Sequence, residues 1–165
     1  MFKRLMAAAL LLIGFTIGAG GVAGAHYVYD KGPVWENGER CINVRSEISH
    51  GSGSGYVKAN VEYLAPNTIG VQVNCALQWQ RTRDFAAVNN QVDVWTGSAW
   101  AYCIALPYKY NTGGTVSTMV QDRTFASTPC GNGRYYNNWG GGFTYFDGSW
   151  KGGQHSTRSY HYLPS

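Results

Sequence analysis

The sequence predicts an all-β fold: a single antiparallel β-sandwich or small barrel of about seven or eight short strands, stapled by two disulfides. Three observations predict it. Apolar and polar residues alternate with a period of two in several runs, tight-turn dipeptides separate those runs, and four cysteines follow an apolar leader.

The leader comes first in the chain. Lys3 and Arg4 precede an uncharged run, Leu5 to Ala25, rich in Leu, Ile and Ala, which is the layout of a secretory signal. Ala23-Gly24-Ala25 fits the small-residue rule for signal peptidase, so the cut is expected after Ala25, before His26. Gly14, Gly18, Gly20, Gly21 and Gly24 argue against a membrane-spanning helix in the same stretch, because each glycine costs about 1 kcal/mol in a helix interior. The first cysteine is Cys41, so none stands at the new N-terminus to be acylated. The expected organisation is a signal peptide over 1–25 and one disulfide-stapled β domain over 26–165, secreted and without a stable membrane anchor.

Within that domain Arg40 to Ile48 places Ile42, Val44 and Ile48 opposite Asn43, Arg45 and Glu47. Cys41 then falls on the polar side, which a bulge or an edge position would explain. Tyr56 to Leu64 repeats the pattern, with Val57, Ala59, Val61 and Tyr63 facing one way and Lys58, Asn60 and Glu62 the other. Gly51 to Gly55 joins these two runs as a hairpin loop. Val71 to Arg81 is the cleanest alternation, putting Val71, Val73, Cys75, Leu77 and Trp79 on a dry face. A weak helical pattern covers Thr82 to Val88. Gln91 to Trp95 and Trp100 to Leu106 form the arms of a hairpin, with Tyr102 and Ile104 following Trp100 on one face. Further strands are expected at Thr115 to Phe125, Gly142 to Phe146 and Ser156 to Leu163. Asn37-Gly38, Asn132-Gly133 and Asp147-Gly148 favour the positive φ angles of tight hairpins.

Four cysteines, Cys41, Cys75, Cys103 and Cys130, allow three pairings. Sequential closure, Cys41 with Cys75 and Cys103 with Cys130, is the plainest topology, and the other pairings stay open. A metal site is the weaker reading, because there is no Cys-x-x-Cys, and His26, His50, His155 and His161 lack zinc-site spacing. No metal and no cofactor are expected. The chain carries 13 Lys+Arg against 9 Asp+Glu, and Lys3 and Arg4 belong to the leader. Nucleic acid is therefore not an expected partner, since the basic residues are scattered singly and Arg81 with Arg83 is the densest pair.

Pro129-Cys130-Gly131-Asn132-Gly133-Arg134-Tyr135-Tyr136, Gly148-Ser149-Trp150-Lys151-Gly152-Gly153 and His161-Tyr162-Leu163-Pro164 resemble a family of small exported actinobacterial proteins. That family has no established activity. The resemblance implies export and supplies no catalytic residue.

Catalytic constellations are thin. Gly53 stands where a Gly-x-Ser-x-Gly elbow needs its nucleophile, and neither a P-loop nor a His-Glu-x-x-His pair is present. Glu47 with Glu62, or Asp93 with Asp122, are the carboxylate pairs a glycosidase could use if they stood about 5 to 10 Å apart. Their strand positions read as solvent-facing charges. His155 and His161 lack a readable partner acid or nucleophile. Aromatic residues are the positive signal: of 6 Trp, 12 Tyr and 6 Phe, only Phe2 and Phe15 belong to the leader. Trp79 and Tyr63 suit a core, whereas Tyr135, Tyr136, Trp139, Tyr145 and Trp150 sit among amides and turn residues. These five form the expected binding platform, because a ring face packs on the C–H side of a pyranose while amides bond its hydroxyls. The expected function is a non-enzymatic secreted protein that binds carbohydrate or another extracellular surface. An inhibitor of an extracellular enzyme is the alternative, with an extracellular protein as partner, and a small hydrolase comes third.

Overall fold

The computed structural model describes residues 27–51, 54–69, 72–126 and 136–158. The leader and its cut, Cys130, the Asn132-Gly133 turn, Tyr135 and His161 lie outside these residues. Nine strands fill the described chain: β1 (Val28–Glu36), β2 (Cys41–Gly51), β3 (Ser54–Ile69), β4 (Gln72–Gln78), β5 (Ala86–Trp95), β6 (Trp100–Tyr110), β7 (Thr118–Ala126), β8 (Tyr136–Phe146) and β9 (Ser149–Arg158). They form two antiparallel sheets in a sandwich-like arrangement. The first sheet runs β1-β2-β3-β4, with β7 also on β3, and the second runs β6-β5-β8-β9. β7 pairs with residues 54–62 of β3 and β4 with residues 64–69. Tyr63 donates its N–H to Ser117 O and accepts from the Trp79 N–H, so β7 and β4 follow one another along the same side of β3.

The pleat behaves as the alternation in β2 and β3 requires. Val57, Ala59, Val61 and Tyr63 are buried, as are Ile42, Val44 and Ile48. Cys41 needs neither a bulge nor an edge: β2 pairs in unbroken register with β3 and lies inside the sheet, so Cys41 looks outward. Its partner is Cys75, with Cα atoms 6.0 Å apart, which confirms that pairing. Cys103 is also disulfide-bonded. Cys75 departs from the expected dry face because a register shift at Ala65/Pro66 turns it outward beside Lys31, Asn43 and Glu62. β4 pairs with β3 alone among the described strands; Leu77 is 50% exposed, whereas Trp79 reaches the core.

A second shift, between Val92 and Asp93, separates Tyr102 from Ile104, which sequence alternation had placed on one face. Tyr102 is exposed, whereas Ile104 packs against the buried cluster of Ile48, Val57, Val92, Val94 and Tyr136. Thr82 to Phe85 forms a turn, closed by the Phe85 N–H on Thr82 O, and not a helix; Asp84 sits at φ 65. β1 is the strand the sequence does not announce. Gly32 and Pro33 interrupt its alternation, and a missing N–H is tolerated because β1 is an edge strand.

The core has two apolar halves with a polar waist between them. One half holds Ile42, Val44, Val61, Tyr63, Trp79 and Met119, and the other holds the Ile48 and Tyr136 cluster. Between them Ser46 donates to Asn138 O, Thr157 donates to Ser46 O, and the Asn138 amide donates to Glu47 O and Lys58 O. Each of these hydrogen bonds crosses from one sheet to the other, so the waist fixes how the sheets stack. Gly142 permits the close approach on one side of the waist, since a Cβ there would lie 2.7 Å from both Val44 and Val61.

Candidate functional site

Stacking the two sheets decides which residues of β5 and β8 stay outside. Ala86, Val88, Asn90, Val92 and Val94 of β5 look inward, so Ala87, Asn89, Gln91, Asp93 and Trp95 lie on the outer face. Their β8 neighbours are Phe143, Gly141, Trp139 and Asn137. β9 adds Trp150 and Gly152 beside Tyr145 and Phe143, and β6 adds Tyr110 beside Ala87.

These positions form a cleft of about 340 Å³ lined by Tyr108, Tyr110, Phe143, Trp150, Ala87 and Gly152. That volume lies at the small end of ordinary ligand pockets. Tyr108 and Phe143 meet edge to face at 5.2 Å, and Tyr110 and Trp150 do so at 5.7 Å. Tyr110 and Trp150 come from the two edge strands and converge across the sheet, which is feasible because the residues beneath them are small. Ala87 supplies one part of that low floor. Gly152 supplies another at φ +143, where a Cβ would stand 2.1 Å from Gly142 O. Trp150 continues into Tyr145 at 5.9 Å and Tyr145 into Phe85 at 5.6 Å. Tyr108, Tyr110 and Trp150 keep 50%, 47% and 44% of their surface in water, so the cleft is ring-lined and open.

The cleft is braced from behind. The Tyr63 hydroxyl lies 3.0 Å from the carbonyl oxygens of both Ala87 and Phe143, the floor and one wall. Burial pushes the Tyr63 phenol well above the ordinary tyrosine value, so it remains a donor to those carbonyls. At the Tyr145 end, Arg81 donates to Thr144 Oγ1 at 2.7 Å and to Tyr145 O at 2.6 Å. Burial lowers the Arg81 pKa, although its side chain still lies over the Trp79 ring at 4.0 Å.

Further along the same face Trp139 donates its indole N–H to Asp93 Oδ2 at 2.7 Å, and Gln91 donates to Asp93 Oδ1 at 2.9 Å. Trp95 and Trp100 pair across the hairpin with ring centres 5.4 Å apart, and the Arg158 guanidinium lies 5.5 Å from the Trp100 ring.

Of the expected platform, Trp139, Tyr145 and Trp150 do share this outer face. Tyr136 does not: its ring is fully buried in the core, because it lies on the inward pleat of β8 opposite Val94. The amides around it, Asn137 and Asn138, read as loop residues but are buried strand residues. Tyr108, Tyr110 and Phe143 are the ring residues that sequence reasoning left out. The signal was present in Tyr108-Lys109-Tyr110, whose spacing of two extends the Trp100 to Leu106 strand past Pro107.

Neither carboxylate pair assembles. Asp122 pairs with Lys58 on the outer face of the first sheet, while Asp93 faces outward from the second, so the sandwich separates them. Glu47 and Glu62 share a face but sit opposite Lys58 and Asn43, four β3 positions apart, or about 13 Å along the strand. Both are ion-paired, Glu62 with Lys31 at 2.6 Å and Glu47 with Arg45 at 2.9 Å. Glu47 and Asp93 are also buried, contrary to the solvent-facing reading. His155 lies against Gly32 with Nε2 3.2 Å from Asp30 Oδ2, linking β9 to β1 at the seam between the sheets. Among the described residues no group of three or more His, Cys, Asp or Glu could hold a metal ion. No helix of the described residues is long and apolar enough to cross a membrane.

Compared with protein-family models, curated proteins and solved structures, the chain matches none.

Proposed function

We propose that this chain is an exported β-sandwich that binds glycan through the outer face of its second sheet and carries no catalytic machinery there. One observation carries the reading: the open cleft whose walls are Tyr108, Tyr110, Phe143 and Trp150 and whose floor is Ala87 and Gly152. Tyr108, Tyr110 and Trp150 stand exposed beside the half-buried Phe143 with no structural reason to do so, since burying them would stabilise the fold by the ordinary apolar transfer term. A sugar ring offers the matching surface, C–H groups for the rings and hydroxyls for the tyrosine O–H and nearby amides. Export is supported by the Cys41–Cys75 bridge, which persists in oxidising compartments, together with the leader over 1–25. The revised platform is Tyr108, Tyr110, Phe143 and Trp150, flanked by Tyr145 and Trp139.

A glycan array followed by calorimetry on the hits tests this. Trp150→Ala is expected to weaken binding about tenfold or more, the equivalent of about 1.4 kcal/mol, with the melting temperature unchanged. An array without hits, or affinity indifferent to both Trp150→Ala and Tyr110→Ala, removes the reading. The intact mass of protein recovered from culture medium checks export separately: it should begin at His26 and carry no free thiol.

A further inference from the structure

The rings on the second sheet are spaced, and the spacing extends beyond the cleft. Ala87 faces Phe143, Gln91 faces Trp139, and Trp95 faces Trp100, all on the outer side. Successive members of this series stand four residues apart along β5, about 13 Å. Polar rows lie between them. Asn89 sits beside Gly141, with Gln154 on the next strand, and Asp93 beside Asn137, with Arg158 on the next strand. Aromatic and hydrogen-bonding rows therefore alternate along the face.

We propose that this face is a track for a linear, uncharged polysaccharide, with the cleft as one station, the Trp95–Trp100 pair as a second, and Trp139 between them. The proposal rests on the glycan reading above and adds the ligand's form and charge. A single sugar ring fills one station only, so the second is used only by a chain. The charge follows from what the face lacks. Asp93 is buried, and its two oxygens already accept from Gln91 and Trp139. Arg158 lies against the Trp100 ring. No other charged side chain of the described residues belongs to the rows between Phe143 and Trp100, so an anionic or cationic chain would shed its hydration without finding a series of partners. The bond from Trp139 to Asp93 also holds the indole in one orientation before ligand arrives, which reduces the ordering cost of binding.

Calorimetry on the full chain with disaccharide and hexasaccharide probes decides it, using β-linked glucose, β-linked N-acetylglucosamine and α-linked glucose. In the series that binds, the hexasaccharide is expected to bind at least about tenfold more tightly than the disaccharide, because the second station then acts intramolecularly. Trp100→Ala, at the hairpin, is expected to cancel that gain and leave disaccharide affinity unchanged, while Trp150→Ala weakens both. Equal affinity for both lengths, or an equal loss for both in Trp100→Ala, overturns the track and leaves the cleft standing. A uronic acid hexasaccharide that binds more tightly than the neutral one overturns the charge assignment. Failure of every probe overturns the track and the glycan reading together. A thermal melt of each variant identifies any that fails to fold, and Arg158→Ala then serves as the second probe of the far station.

Discussion

The two outer faces of this sandwich are made by the same pleat and have opposite chemistry. On the first sheet many of the outward residues satisfy one another. Lys31 pairs with Glu62, Arg45 with Glu47, the Tyr56 hydroxyl with Asp122, and the Cys41–Cys75 bridge crosses from β2 to β4. Arg45 is further held between Tyr27 and Tyr29, with its guanidinium 4.0 Å from the Tyr29 ring. On the second sheet the outward residues are mostly rings and amides, and the cleft rings meet across the strands edge to face. The lesson is that exposure alone does not mark a binding surface. A face whose groups have met their partners is a finished surface, whereas one that leaves ring faces in water has capacity for a ligand.

Removing the staple should separate the faces most strongly. The Cys41–Cys75 bridge closes a loop with a sequence separation of 34, which corresponds to about 3 to 4 kcal/mol in the chain-entropy account. Cys41→Ala with Cys75→Ala should lower urea stability by that amount and leave glycan affinity of the folded protein intact. A loss in affinity matching the loss in stability would mean the two faces are not independent.

Alkali should act next, through the groups between and outside the sheets. Burial pushes the Tyr56 phenol from 10.0 up to about 12, and Asp122 adds to the shift. Burial raises Tyr63 further still. Both folded values exceed the unfolded one, so their stabilising contribution is fully present below pH 10 and is lost as pH rises above it. Melting temperature should hold up to that pH and fall beyond it, and Tyr63→Phe should flatten the fall. An unchanged alkaline profile in that variant would relocate the effect to other tyrosines.

Gly142→Ala sharpens the contrast from inside. Its Cβ would meet Val44 and Val61 at 2.7 Å, so overpacking should cost about 1 to 3 kcal/mol by denaturant unfolding. The cleft lies on the far side of the same strand, and disturbed binding would report that β8 has shifted as a body. Smallest of all, Glu62→Gln on the first sheet should change stability by less than about 1 kcal/mol, and less in high salt. It should not alter glycan affinity at all.

How much of this was legible depends on how far apart the deciding residues are. Val57, Ala59, Val61 and Tyr63 announced the inner face of β3, because pleat direction is set by neighbours two residues away. Asp147 and Gly148 announced the β8–β9 turn, and both take the positive φ that a tight hairpin needs, 49 and 74. Ser46 was a quieter signal: it falls in the apolar period of Ile42, Val44 and Ile48 and becomes part of the polar waist. Tyr136 was misread because the amides next to it resemble a loop, and only the carbonyls of β2 and β3 that Asn138 reaches make Asn138 an interior residue. Two register shifts reversed Cys75 and Ile104, since one extra residue in a strand exchanges its faces and leaves no mark in composition.

By itself the chain determined that it would form strands, where several of them turn and that Cys41 could pair with Cys75, because these depend on local pleat, turn chemistry and covalent bonding. Which side of β5, β6 and β8 became core and which became the ring-lined face was decided only when the sheets stacked. Alternation makes two faces on every strand, and it takes a second sheet, with its own buried partners, to cover one of them and leave the other to water.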